Sequence, residues 1–237
     1  MQLFYSSKIL SNLIILDETE TNHCMNVLRY KVGDTIYVVD GMGSLYTSKI
    51  VELKNNECCS KIINRKNSYN NNGHKVHIAI SCLKNHKRLE FFIEKSVEIG
   101  IDEISLIDCN RTVRNKCKID RLKKTAIVAM KQTLKSKLPI INPIKNIKDF
   151  INESKDENKF ICHLEYDLSK TITNYKSKFK NTNSSCILIG PEGDFTKEEI
   201  NLAESNGFLS ISLGNNRLRS ETAGIVACHL LNIANNY

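Results

Sequence analysis

The sequence predicts an α/β chain in which a small β-rich unit precedes a larger one of alternating strands and helices. Three observations carry this expectation. Residues 3–66 hold short apolar or alternating runs separated by turn residues. Residues 67–73 (NSYNNNG) contain no large aliphatic side chain and read as a linker. Beyond them, strands that are apolar along their whole length alternate with helical stretches, the pattern of a parallel sheet covered on both faces. The expected domains are therefore 1–70 and 74–237.

In the first part, TIYVVDG, SLYTSKIVEL and ECCSKIINR are strand-like, with turns at Gly33-Asp34, Gly41-Met42-Gly43 and Lys54-Asn55-Asn56. One short helix is expected at about 18–29, where the period of two is lost, and the remainder suggests a small β-barrel. In the second part, HIAISCL (77–83) is a buried-type strand, followed by a helix over 86–99 that ends at Gly100. EISLID (103–108), KFICHL (159–164), SCILIG (185–190) and FLSISL (208–213) are further apolar strands. Helices are expected over 118–137, 197–206 and 221–235; Thr196 with Glu199 makes a capping box for the second, and Gly207 closes it.

Composition narrows the function classes. The 237 residues are 41% hydrophobic and 25% charged, ordinary for a folded protein. No stretch reaches the roughly 20 apolar residues that cross a bilayer, and the start resembles no signal peptide, so the cytosol is the expected location. Nine cysteines with an adjacent Cys58-Cys59 pair and no C-x-x-C argue for reduced thiols rather than a disulfide framework, and the six histidines show no ligand spacing, so no metal is expected.

The formal charge of +8 is concentrated: residues 111–137 hold ten Lys/Arg against Asp120 alone. On the expected helix, Ile119, Leu122, Ala126 and Met130 form one stripe, leaving Arg121, Lys124, Lys131 and Lys135 in an outward row suited to phosphates. Arg111, Arg114, Lys116 and Lys118 flank it. A solvated basic face is the plainer alternative for such a row, but these flanking cations shift the balance toward RNA.

Two segments near the C-terminus carry more specific chemistry. Ile189-Gly190-Pro191-Glu192-Gly193-Asp194-Phe195 and Leu213-Gly214-Asn215-Asn216-Arg217-Leu218-Arg219-Ser220 each follow an apolar strand and precede a helix. Ligands of open α/β sheets bind beyond the carboxyl ends of strands, and glycine lets the backbone approach them closely. Neither loop matches a dinucleotide or P-loop fingerprint.

IGPEGDFT and LGNNRLRSETA resemble the two cofactor loops of the RsmE family, within the SPOUT superfamily of knotted RNA methyltransferases. The resemblance covers nearly the whole chain: His23 with Val27-Leu28-Arg29, Gly33-Asp34, Asp40-Gly41 and Tyr46 to Ile50 follow the family's PUA-like barrel, and EKSVEIGI (Lys95, Glu98, Gly100), Gln132 and Pro139 follow its second domain. Asn110 and Thr112 beside Arg111, Lys131, and Asn216-Arg217 depart from the common pattern. The resemblance implies a C-terminal trefoil knot, a homodimer, S-adenosyl-L-methionine as cofactor, and methylation of uridine N3 in 16S ribosomal RNA or the small ribosomal subunit. It also implies roles. Ile189, Gly190, Pro191, Glu192, Gly193, Leu213, Gly214 and Leu218 would contact the cofactor. Arg219 would be catalytic, or would instead pair with Glu221 or Glu192 and shape the loop. Arg29, Arg111, Arg121, Lys124, Lys131 and Lys135 would contact RNA. A SPOUT enzyme acting on ribose 2′-OH or transfer RNA, an inactive RNA-binding module and a nucleotide-dependent oxidoreductase are the competing expectations.

Overall fold

In the computed structural model, residues 1–54, 57–67, 73–114, 116–164, 174–175 and 182–235 are described; most of the expected linker, 68–72, lies outside them. The chain divides into two units, Met1–Asn71 with Ile127–Leu138, and Asn72–Ala126 with Pro139–Tyr237. The sequence expectation left 127–138 with the second domain, whereas this segment groups with the first unit.

The first unit is built on strands β1 (Leu3–Tyr5), β2 (Lys8–Leu10), β3 (Leu13–Leu16), β4 (Thr35–Val39), β5 (Leu45–Lys54) and β6 (Glu57–Lys66). Their order is β1-β4-β5-β6-β3-β2, parallel between β1 and β4 and antiparallel elsewhere. The expected barrel is thus a six-stranded sheet whose edges are β1 and β2, joined through Ser6-Ser7. Ser6 Oγ donates to the Ile15 carbonyl at 2.5 Å, which pulls that corner closed. Phe4, Ile14, Leu16, Cys24, Ile36, Val38, Ile50 and Cys58 fill the interior. The helix expected over 18–29 is two pieces, α1 (Glu18–Asn22), capped by Asp17, and a π-helical turn His23–Val27 whose Leu28 N–H reaches back to the His23 carbonyl.

The second unit holds a fully parallel sheet of β7 (Lys75–Ser81), β8 (Glu103–Asp108), β9 (Ile140–Asn146), β10 (Asn158–Cys162), β11 (Ser184–Ile189) and β12 (Leu209–Ile211). Its order is β12-β10-β11-β7-β8-β9. Its helices are α2 (His86–Ile99), the first half of α3 (Ile119–Gln132, whose residues from Ile127 on group with the first unit), α4 (Ile147–Glu153), α5 (Lys197–Ser205) and α6 (Ser220–Asn235). α4 and α5 cover one face through Ile147, Phe150, Ile151, Ile200 and Ala203 against Ala79, Ile107, Ile161 and Leu188. α2 and α6 pack on the other, where Gly224 brings the α6 backbone so close that a Cβ would lie 2.6 Å from the Phe92 ring. The expected caps are present: Gly100 closes α2 in the left-handed region and Thr196 with Glu199 forms the capping box of α5. β9 and α4 had no expectation in the sequence; β9 is a half-exposed edge strand interrupted by Pro143.

The outward row expected on a 118–137 helix is not realised. α3 stops at Gln132, and the chain turns through Leu134 at φ 56°, with Leu134 N–H on the Lys131 carbonyl and Lys135 N–H on that of Met130. That is a Schellman closure with leucine where glycine is usual, so nothing in the composition announced it. Lys135 therefore leaves the helix, and Lys131, instead of facing solvent, pairs with the buried Glu20 of α1. Arg121 is held by Glu90 at 2.5 Å, while Lys124 is exposed.

At the amino ends of β7, β8 and β10 sits a buried polar cluster. His77 Nδ1 contacts the Asp156 carboxylate at 2.8 Å, its Nε2 contacts Ser105 Oγ at 2.9 Å, and Lys75 bridges Asp156 and Glu103. Burial opposes charge on His77, but the neighbouring Cys186 sulfur and Asp156 outweigh it, and the imidazole pKa is pushed up to about 10. All nine cysteines are free thiols, six of them buried. No helix among the described residues is long and apolar enough to cross a membrane.

Candidate functional site

At the opposite, carboxyl end of the parallel sheet lies a cavity of about 520 Å³. Three segments and Arg88 of α2 wall it: 189–192 with Asp194 at the end of β11, 211–220 between β12 and α6, and Cys162-His163-Leu164 at the end of β10. The sequence reading anticipated the first two and missed the third. It was within reach, since KFICHL also ends at a strand's carboxyl end, where ligands of such sheets bind.

The first loop is held by Asp194, whose φ of 63° is rare for a residue with a side chain. Its Oδ1 accepts from Phe195 N–H at 2.8 Å, its Oδ2 accepts from Leu164 N–H at 2.9 Å, and its own N–H donates to the Pro191 carbonyl. One carboxylate thus ties the loops after β10 and β11 together. Gly190 lies under the Phe195 ring, which a Cβ would approach to 3.2 Å. Glu192 Oε1 accepts from Lys84 N–H at 3.2 Å.

The second loop turns at Gly214, φ 119°, where Ser212 Oγ both accepts from its N–H and donates to its carbonyl at 3.1 Å. Ile189, Ile211, Leu213, Leu218 and Ala223 supply apolar wall. Burial first, then the Asp194 carboxylate, pushes the Cys162 thiol above its ordinary range, so it is a neutral wall group and not a nucleophile.

Of the cofactor residues expected from the sequence, Ile189, Gly190, Pro191, Glu192, Leu213, Gly214 and Leu218 line this cavity together. Gly193 lies outside its wall and instead accepts from Arg111 Nη1 at 2.8 Å. Arg111, expected on RNA, therefore supports the first loop and also reaches the Phe195 carbonyl at 3.3 Å. Arg219 is exposed, lines the cavity and makes no ion pair among the described residues. Glu221, its expected alternative partner, faces Arg88 at 3.6 Å. Arg29 is exposed in the first unit, at φ 59°.

A cavity of this volume suits a mid-sized organic ligand. Its apolar walls fit a flat ring, and its glycine-rich turns offer backbone donors and acceptors to polar edges.

Comparison with known proteins places this arrangement. Residues 70–232 match the model of an RNA methyltransferase domain, and residues 16–63 that of an RNA methyltransferase PUA domain. A ribosomal RNA small subunit methyltransferase E from Mesomycoplasma hyopneumoniae is 31% identical over 95% of this chain and 96% of its own. A candidate rRNA-methyltransferase from Porphyromonas gingivalis superposes with a TM-score of 0.90 at 33% identity, covering 100% of this chain and 99% of the other. A candidate methyltransferase from Legionella pneumophila, solved in complex with the bound cofactor SAM, gives 0.86 at 26% identity, covering 98% and 97%. The chain belongs to the ribosomal RNA small subunit methyltransferase E family, on an α/β scaffold with a PUA-type first unit and an RNA methyltransferase domain.

Proposed function

We propose that this chain is an S-adenosylmethionine-dependent methyltransferase acting on N3 of a uridine in small-subunit ribosomal RNA. The observation that carries the reading is the cavity at the carboxyl end of the parallel sheet, with glycine turns on two sides and, in its wall, an arginine without an ion pair among the described residues. The residues fit the cofactor: Ile189, Gly190, Pro191, Glu192, Leu213, Gly214 and Leu218 would hold it by backbone groups and apolar packing, with Gly193 shaping the loop from behind. When bound, S-adenosylmethionine supplies an electrophilic methyl group.

The protein's own tasks follow from the acceptor. Uracil N3 carries an imide proton, and the nitrogen becomes a good nucleophile only as that proton leaves. Arg219 stays cationic at physiological pH and pairs with no acid among the described residues, so it is assigned to stabilising the negative charge that develops on the base. The loops restrict the approach of the acceptor, which supplies orientation. Exposed Arg29, Arg121 and Lys124 are assigned to RNA phosphate; Lys131 and Lys135, drawn out of the row, are assigned weaker roles. The division of labour is RNA capture by residues 1–70 and catalysis by 74–237. Family membership further supports a trefoil-knotted C-terminal segment, a homodimer and a cytoplasmic site of action.

The test is methylation of purified small ribosomal subunits with labelled S-adenosylmethionine, followed by nucleoside analysis. 3-Methyluridine at one site is the expected product. Label in transfer RNA or on ribose would move the chain to another substrate class.

A further inference from the structure

Beside the cofactor cavity, in the same unit, lies a second cleft of about 680 Å³ that none of the expected cofactor roles explains. It is lined by the segment entering α2, by Val113 and Arg114, by Arg121 of α3 and by Glu192. Five of its side chains are permanently cationic: Lys84, Lys87, Arg88, Arg114 and Arg121. Two of these are already engaged, Arg88 with Glu221 and Arg121 with Glu90. Lys84, Lys87 and Arg114 are exposed and have no acidic partner among the described residues. The cleft thus carries uncompensated positive charge converging from separate elements, with the exposed Val113 among it.

Arg88 and Glu192 line both cavities and so form the partition between them. Among the described residues Glu192 is the one acid in the cleft wall, and its carboxylate accepts from the Lys84 N–H. An anionic strand approaching the cofactor is attracted by Lys84, Lys87 and Arg114, and its phosphates are repelled at Glu192.

On the reading that the chain methylates RNA, we propose that this cleft seats the phosphates of the acceptor strand next to the modified nucleotide. Lys84, Lys87 and Arg114 hold the backbone, and Glu192 marks where backbone stops and base begins. The residues act by positioning, not by chemistry on the reacting atoms.

The experiment uses the full-length protein with K84A, K87A and R114A, singly and together, and K148A as a control that removes one exposed charge elsewhere in the unit. Affinity for an RNA oligonucleotide carrying the acceptor sequence is read by fluorescence anisotropy across a salt series, and cofactor affinity by calorimetry. Phosphate contacts weaken binding regardless of sequence, so each single variant should bind RNA roughly threefold to tenfold more weakly, with the log–log salt slope reduced by about one per contact. S-adenosylmethionine affinity should be unchanged, and K148A should match the wild type. RNA affinity and salt slope unchanged in the triple variant would overturn the proposal. So would an equal effect from K148A, which would reduce it to net charge, or a loss of cofactor affinity, which would assign the cleft to the cofactor. Anisotropy needs no turnover, so failure of the cleft is distinguishable from failure of the methylation reading, which appears as absent 3-methyluridine.

Discussion

Arg111 donates to the carbonyl of Gly193 at 2.8 Å, and its side chain packs so closely on that glycine that a Cβ there would come to 3.3 Å from the arginine's own Cβ, a tight contact. The two residues form a brace behind the first cofactor loop. A partly exposed hydrogen bond of this kind contributes about 1 kcal/mol, up to about 2 for a charged donor. Arg111→Ala should therefore weaken S-adenosylmethionine binding roughly fivefold to twentyfold by calorimetry. Unchanged cofactor affinity with weakened RNA affinity would return Arg111 to the RNA contacts expected from the sequence.

Gly224 and Phe92 set how closely α6 approaches α2. Forcing a methyl group into a separation of 2.6 Å requires the ring or the helix to move. Gly224→Ala should cost about 1–3 kcal/mol in urea unfolding, despite alanine's better helix propensity. Adding Phe92→Leu should recover part of that loss. A neutral or stabilising Gly224→Ala would mean that the ring swings away freely.

The His77–Asp156 pair predicts how stability varies with pH. The folded pKa of His77, about 10, lies above its unfolded value near 6.5. Its contribution is thus complete below pH about 6.5 and is lost as pH rises toward about 10. The Asp156 carboxyl is held below its ordinary value: burial opposes this, but His77 and Lys75 prevail, so its contribution fades only in acid. Melting temperature should fall between pH 7 and pH 10. Asp156→Ala, which strands a buried imidazolium, should cost roughly 3–5 kcal/mol at neutral pH and flatten that fall. A wild-type profile flat to pH 10 would show that His77 is neutral in the folded state.

Arg219→Ala should leave S-adenosylmethionine affinity within about twofold and slow methylation by about 10²–10³, the loss typical of one charge-stabilising donor. Parallel loss of binding and rate would give Arg219 a structural role in the second loop.

Much of this was legible because it is local. Apolar runs, Gly100, the Thr196–Glu199 box and both glycine loops announce themselves within a few residues. What escaped depends on partners distant in sequence. Lys131 appeared to belong to a solvent-facing row until Glu20, 111 residues away, claimed it. The end of α3 was hidden because leucine occupies a position usually held by glycine. The 162–164 segment offered a local signal, a strand's carboxyl end, but what brings it into the site is that β10 lies between β11 and β12, and strand order is not sequence order. The cationic cleft, too, assembles from segments roughly thirty and seventy residues apart.

That intervening strand also acts as a ruler. The two glycine loops leave the sheet from β11 and β12, which are separated by β10 and hence by two interstrand spacings, together about 9.5 Å. The gap they must bridge is dictated by main-chain ladders that no side-chain substitution can stretch. Changes in either loop can alter which groups face a ligand, but the span of the binding slot is inherited from the sheet. Grafting loops from a relative onto this chain should therefore transfer chemical preference while leaving the caliper setting intact.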